Sequence, residues 1–369
     1  MPSQLLHTLF GEDVTAGIYR RLESRFGVVA GKALEKIQDT HKKAFVLGCQ
    51  GPDIFYHSQH RRPVALEYGT LLHRRGVGVF TSELLKRGLP DSAPDEDDVR
   101  NRRREKGISA LGAYALGFMT HAILDRLTHP YIVYKSDRPP PVSARRDRSH
   151  AFLERIIDVL MLDHLRKADV LIWDQEGMLA VPCEDLPPGL MELLRQALVK
   201  AYPERAGKDE KLIVRIENTF LDCAFFYRAT APANTPVKTR KAMLAIDDDF
   251  IPMSKGYVAY LYPEKLPARI DFLNLKKRPW YYPAGEKKED LRSFPELYQD
   301  AVEAATDSLS HIIGRYLHEG SFPIREAAGI LGNGGLSIVD DAGKPCALSW
   351  TDPLPLQKVL DKQVALRGL

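Results

Sequence analysis

The sequence has little cysteine. Cys49, Cys183, Cys223 and Cys346 are the only four in 369 residues, they are scattered, and none belongs to a CxxC pair. That argues against a cysteine zinc site and against a disulfide scaffold. A strong charge of one sign is also lacking: the formal net charge is +3, too small to argue for nucleic acid by itself. The first residues, MPSQLLHTLFGEDV, contain neither a basic leader nor a long apolar core, so no signal peptide is expected and a cytoplasmic protein is the default. Long apolar runs are missing as well. The nearest candidate, Ile108 to Leu124, is slightly short for a membrane span, carries His121 and ends at Asp125 and Arg126. There is no internal repeat and no long linker. With 44% hydrophobic and 27% charged residues the composition is that of an ordinary soluble globular protein. Its length suffices for one large domain or two medium ones.

What is present is concentrated in one stretch, Leu116 to Glu154. It reads LGFMTHAILDRLTHPYIVYKS, then a Pro/Arg-rich loop, then HAFLE. His121, Asp125 and His129 follow one another at intervals of four, and His150 and Glu154 repeat that interval. On a helix such residues share one face, one turn above the other. Imidazole nitrogen and carboxylate oxygen held that way are good zinc ligands, and two such rods can build a site between helices. The surroundings are apolar (Leu116, Phe118, Met119, Ile123, Leu124), so burying His121 and Asp125 there is costly unless each is paired or coordinated. A direct His–Asp hydrogen bond satisfies both without any metal, and spacing alone does not separate the two readings.

The rest of the chain reads as mostly helical. Helices are expected over 12–25, 29–46, 66–86 (carrying His73), 149–167, 189–202, 209–228, 238–249 and 289–317. LGCQGPD forms a tight turn presenting Asp53. The charged stretch 91–106 begins as a loop and then enters the central helix. Pro130 biases His129 away from helical geometry and is expected to end that helix. Ser136 to Arg148, SDRPPPVSARRDR, is a solvated connector or an anion-attracting rim. Ser149 is a plausible N-cap for the helix bearing His150. The aromatic residues from Tyr257 to Tyr282 serve core packing or line a groove. From Gly320 the composition shifts to Gly, Pro and short apolar runs, with a hairpin over 340–344 and a last helix over 355–365. The expected organisation is a helical domain over 1–319 with a small C-terminal appendix, 320–369, packed on it.

In order along the chain, MPxxxxH, LGCQGPDIFY, EYGTLLH, LGFMTHAILDRLTHPY and HAFLE, with a return at DFLNLKKRPWYYP, resemble the bacterial zinc-dependent phospholipase C family. The resemblance implies an all-α fold with two or three zinc ions in a cleft between helices. It implies one zinc held by Asp53, His73, His121 and Asp125, a second by His129, His150 and Glu154, and a third by His7, with Asp125 bridging. In secreted relatives the third zinc also takes the amine and carbonyl of an N-terminal tryptophan. This sequence has none there, and Pro2, freed by loss of Met1, is the expected stand-in. The interval from Asp125 to His129 is two residues shorter than in those relatives. The resemblance also implies hydrolysis of a phospholipid-type phosphodiester by a water that the zinc cluster makes acidic, with Asp53 both ligand and base. The implied partner is a phospholipid or other phosphodiester, with transient contact to a membrane surface and no transmembrane segment. Two alternatives stand beside this one. One is a zinc-dependent nuclease or other phosphodiesterase, marked by aromatics for base stacking. The other is a non-catalytic, metal-stabilised binding protein.

Overall fold

A computed structural model of the chain describes residues 3–27, 34–89, 108–137, 148–232, 257–319, 324–340 and 342–367. The charged stretch 91–106, the helix expected over 238–249 and the Pro2 terminus lie outside these residues, as does 138–147 of the Pro/Arg loop. The described residues are predominantly helical. Their one sheet is a two-stranded antiparallel ribbon, Trp280–Tyr281 against Glu289–Asp290. The longer helices are α1 (Gln4–Phe26), α2 (Lys42–Cys49), α3 (Leu66–Arg74), α4 (Val77–Gly88), α5 (Ala110–Ser136) and α6 (Ser149–Arg166). They continue with α7 (Leu190–Ala201), α8 (Leu212–Ala229), α9 (Phe294–Glu319), α10 (Ile324–Leu331) and α11 (Leu356–Leu366). A 3-10 turn, Gly51–His57, follows α2.

The centre is α5, and it is buried on nearly every side: Tyr114, Phe118, Met119 and Tyr131 have no accessible surface. A helix that is apolar all round is an interior helix, and each such side chain contributes roughly 1.5–3 kcal/mol by leaving water. The hydroxyl of Ser109 starts α5 by accepting the Gly112 N–H at 3.0 Å. α2 crosses α5 at very close range: a Cβ at Gly48 would stand 2.2 Å from the Tyr114 carbonyl, and one at Gly117 2.3 Å from that of Phe45. α1, α4 and α9 pack around the same helix, and α6 runs beside it. No described helix is long and apolar enough to cross a membrane.

Several expected boundaries move. α1 starts at Gln4 rather than at residue 12, because Leu6, Phe10, Val14, Ile18 and Leu22 form one buried stripe of four-residue steps. The helix expected over 29–46 is interrupted at 39–41, where His41 leaves helical geometry (φ −112°, ψ 17°). The helix over 66–86 is two helices. Arg75 is extended and Gly76 takes φ +78°, the left-handed region that suits glycine. α5 does not stop at Pro130 but runs through it to Ser136. The proline leaves the Arg126 carbonyl without its intrahelical donor, a loss of order 3 kcal/mol, against which the next turn buries Tyr131, Ile132 and Tyr134. Ser149 is the first residue of α6 rather than its cap, and residues 289–290 are strand, with α9 beginning at Phe294. Val339 and Pro345 form an antiparallel bridge, and the Asp340 N–H donates to the Lys344 carbonyl at 2.8 Å.

Candidate metal centre

Four helices and one turn deliver the eight expected donors to one place. α1 brings His7, the 3-10 turn Asp53, α3 His73, α5 His121, Asp125 and His129, and α6 His150 and Glu154. They form three groups, His7–His121–Asp125 and Asp53–His73–His121, which share His121, and His129–His150–Glu154, with all donor atoms of a group within 4.8 Å of one another. Asp125 is the hub. Its Oδ1 lies 3.4 Å from His7 Nε2, and its Oδ2 lies 3.1 Å from His121 Nε2, 3.7 Å from His73 Nε2 and 3.8 Å from His129 Nδ1. His73 Nε2 is 3.0 Å from Asp53 Oδ1. In the third group, Glu154 Oε1 is 3.2 Å from His129 Nε2 and 3.4 Å from His150 Nε2.

The donor set fits zinc on two counts. A tetrahedral zinc with ligands at about 2.0 Å separates its donors by about 3.3 Å, and most of these distances fall near that value. The outward nitrogens are also set for it. Nδ1 of His73 lies 2.8 Å from the Gly69 carbonyl, and Nδ1 of His121 lies 3.1 Å from that of Cys49. A carbonyl only accepts, so in the neutral rings Nδ1 carries the hydrogen and the Nε2 lone pair faces inward. Nε2 of both rings, Nδ1 of His129 and Oδ2 of Asp125 are buried and make no well-directed hydrogen bond. Buried polar atoms that converge in this way are able to hold a cation between them.

Charge follows the same layout. Burial by itself would raise Asp125, but His121, His129 and His7 around it hold the carboxyl well below its usual range. Burial lowers His7 to about 4, so this ring is neutral at physiological pH. His150 goes the other way. Its burial is outweighed by Glu154 and Asp137, which push it up to about 10. Exposure is uneven: the His150 side chain is 26% accessible and that of His73 10%, whereas His121 and Glu154 are at 0% and 1%. Tyr56 lies against His73, with ring centroids 4.9 Å apart. Arg148, just before α6, donates to the hydroxyl of Tyr260 and lies over its ring.

Some of the contributing residues carry no clear signal in the sequence. Asp137 accepts from His150 Nδ1 at 3.0 Å and so orients that ring. It sits at the start of the Pro/Arg loop, where the arginines dominate the reading. Gly51, at φ +54°, makes room for an imidazole: a Cβ there would stand 2.3 Å from Cγ of His121. Asp158, one turn beyond Glu154, accepts from the Ser3 hydroxyl at 3.0 Å and the Leu6 N–H at 2.8 Å. It thereby ties the first turn of α1, and His7 with it, to α6. Of the remaining histidines, His57 stacks on Phe226 and His311 pairs with Glu326 at the surface; neither is a member of the three donor groups.

A cleft of about 780 Å³ lies between α3, the end of α7 and Asn333, and none of the eight donors lines it.

A protein-family model described as zinc dependent phospholipase C matches residues 23–187. That range contains seven of the eight donors, and His7 precedes it. No curated protein and no solved structure matches the chain. The all-α architecture, the clustering of histidine with carboxylate and the family match converge: residues 23–187 match the zinc-dependent phospholipase C family, which supports a phospholipase C-like, zinc-dependent phosphoric diester hydrolase.

Proposed function

We propose that the protein hydrolyses a phospholipid-type phosphodiester, with His7, Asp53, His73, His121, Asp125, His129, His150 and Glu154 as its metal ligands. The observation that carries this reading is the set of three donor groups, two of them sharing His121 and the third approached by Asp125 through His129 at 3.8 Å. Two zinc ions are the minimum for this arrangement, and the His7 group provides for a third. Bound zinc supplies Lewis acidity, which makes a water reactive near neutral pH and offsets charge on the phosphoryl oxygens. The residues of the chain do the rest. Asp125 spreads one carboxylate over four imidazoles, those of His7, His73, His121 and His129. Asp53, on a 3-10 turn that α3 packs against, faces the same space and serves as ligand and as proton acceptor for the attacking water. Asp137 holds the most accessible ring, His150, in the orientation that turns Nε2 toward Glu154.

A second substrate class has one observation in its favour. Tyr56 beside His73 offers a ring on which a base could stack, as in a single-strand nuclease. The test separates the two: zinc-stripped and zinc-restored protein assayed on phospholipids, single-stranded DNA and RNA, and a chromogenic diester. Zinc-dependent turnover with preference for the phospholipid is expected. Asp53→Asn should lower turnover about 100-fold or more, the scale of a lost general base. An undiminished rate in that variant would remove Asp53 from the chemistry. Turnover of nucleic acid alone would transfer the function to the second class.

A further inference from the structure

Residues 331–336 lie far outside the matched family range, yet they touch both helices that carry the central donors. Three carbonyls of this segment receive one guanidinium. Arg126, next to Asp125 on α5, donates from Nη1 to Leu331, from Nη2 to Gly334 at 3.0 Å and from Nε to Gly335 at 3.3 Å. On its other side the segment grips the break between α3 and α4. The Leu336 N–H donates to the carbonyl of His73 itself at 2.9 Å. The Gly76 N–H donates to the Asn333 carbonyl at 3.0 Å, and Asn333 Oδ1 accepts the Val79 N–H at 3.0 Å. Asn333 thus caps α4 from outside, which that helix needs, because Gly76 at its N-cap has no side chain to offer. The fit is tight: a Cβ at Gly335 would stand 3.2 Å from the His73 carbonyl, and one at Gly78 2.3 Å from that of Gly332.

α3 packs chiefly on the 51–57 turn rather than on α5. The turn also touches α5, but direct hydrogen bonds that join the His73 backbone to the Asp125 helix run through this segment, from Leu336 to His73 and from Arg126 to its carbonyls. We infer that residues 331–336 are a bracket that sets the spacing of His73 and Asp125, with Arg126 as the positioning residue that fixes it. The inference rests on the metal-ligand reading above. Arginine suits the role because its planar fork reaches three acceptors at once, which a lysine ammonium, a point charge, does not reproduce. The His129–His150–Glu154 group makes no such contact with the segment among the described residues, so the bracket acts on one part of the centre and not on the other.

That asymmetry gives a readout beyond stability. Full-length protein, stripped of metal, is titrated with Co²⁺ while its visible ligand-field bands are followed, and each equivalent's affinity is measured against a competing chelator. Arg126→Lys should weaken one equivalent at least tenfold and alter its bands while leaving a second equivalent unchanged. Asn333→Leu should do the same, and Asn333→Asp, which keeps the acceptor for Val79, should restore the wild-type titration. The Asn333 pair keeps the test available if Arg126→Lys does not fold, and thermal melting of the metal-free forms identifies that case. Wild-type titrations in Arg126→Lys and Asn333→Leu, or equal weakening of every equivalent, would overturn the bracket alone. A wild type that takes up no Co²⁺ would overturn the ligand reading and the bracket with it.

Discussion

Replacing Gly51 with alanine tests the centre through a residue that offers no donor. Two costs combine. At φ +54° a Cβ strains the backbone by roughly 1–2 kcal/mol. The same Cβ would stand 2.3 Å from Cγ, 2.5 Å from Cδ2 and 2.7 Å from Nδ1 of His121, where carbon atoms normally stop at about 3.5 Å. The ring must retreat by about 1 Å, an overpacking cost of about 1–3 kcal/mol in a buried site. Metal ligation tolerates only about 0.2 Å, so His121 leaves both donor groups that it joins. Gly51→Ala should lose at least one zinc per chain and about 2–5 kcal/mol of stability. Gly285→Ala is the control: its φ is +65°, but nothing lies within 4 Å of the added carbon, so it takes the backbone strain without the clash. Zinc is counted by mass spectrometry, and stability is measured by urea unfolding of the metal-free forms. Full zinc content in Gly51→Ala, or equal zinc loss in Gly285→Ala, would refute the reasoning.

Zinc uptake should release protons. His150 is raised to about 10 by Glu154 and Asp137, so the metal-free ring is charged at pH 7.5 and must shed a proton to become a ligand, whereas His7, lowered to about 4, has none to lose. Calorimetric titration in two buffers of different ionisation enthalpy should show at least one proton released per chain and an affinity that falls as pH falls; a buffer-independent heat would contradict this. Asp137→Ala removes the partner that orients His150 and should weaken zinc about 10- to 100-fold, measured by chelator competition. Asp158→Ala strips the buried Arg155 guanidinium of its carboxylate, 3.5 Å away, and frees the first turn of α1. It should cost about 3–5 kcal/mol in urea unfolding, with Asp158→Asn costing less; a change below 1 kcal/mol would show that the pair is not needed.

The donors were legible in the sequence because helical spacing is a local property. His121, Asp125 and His129, and again His150 and Glu154, have one face by arithmetic alone, and their apolar surroundings make exposure of that face unattractive. The family resemblance extended the set to His7, Asp53 and His73, which no local period connects to the others. What stayed hidden depends on tertiary placement. Nothing in LGCQGPD says that Gly51 must admit a ring from a helix 70 residues away. The carbonyls that orient His73 and His121, and the carboxylate of Asp137, are chosen by packing. Pro130 misled for the same reason: its local preference for ending a helix was outweighed by burial of the turn that follows. The division of 66–86 into α3 and α4 rests on Gly76, which the run of apolar residues on either side obscures.

The contact between Leu336 and His73 spans more than 260 residues of chain. During synthesis, every donor from His7 to Glu154 leaves the ribosome long before residues 331–336 exist. The helices can collapse on one another in that interval, and Arg126 can sit beside Asp125, but the carbonyls that receive its guanidinium have not yet been made. On the ribosome the nascent chain passes through a stage in which all eight candidate donors are present and the loop between α3 and α4 is still uncapped. A ribosome stalled after residue 319 should therefore display a domain that binds metal more weakly than the released protein, and late translation rather than early helix formation would time the final tightening of the centre.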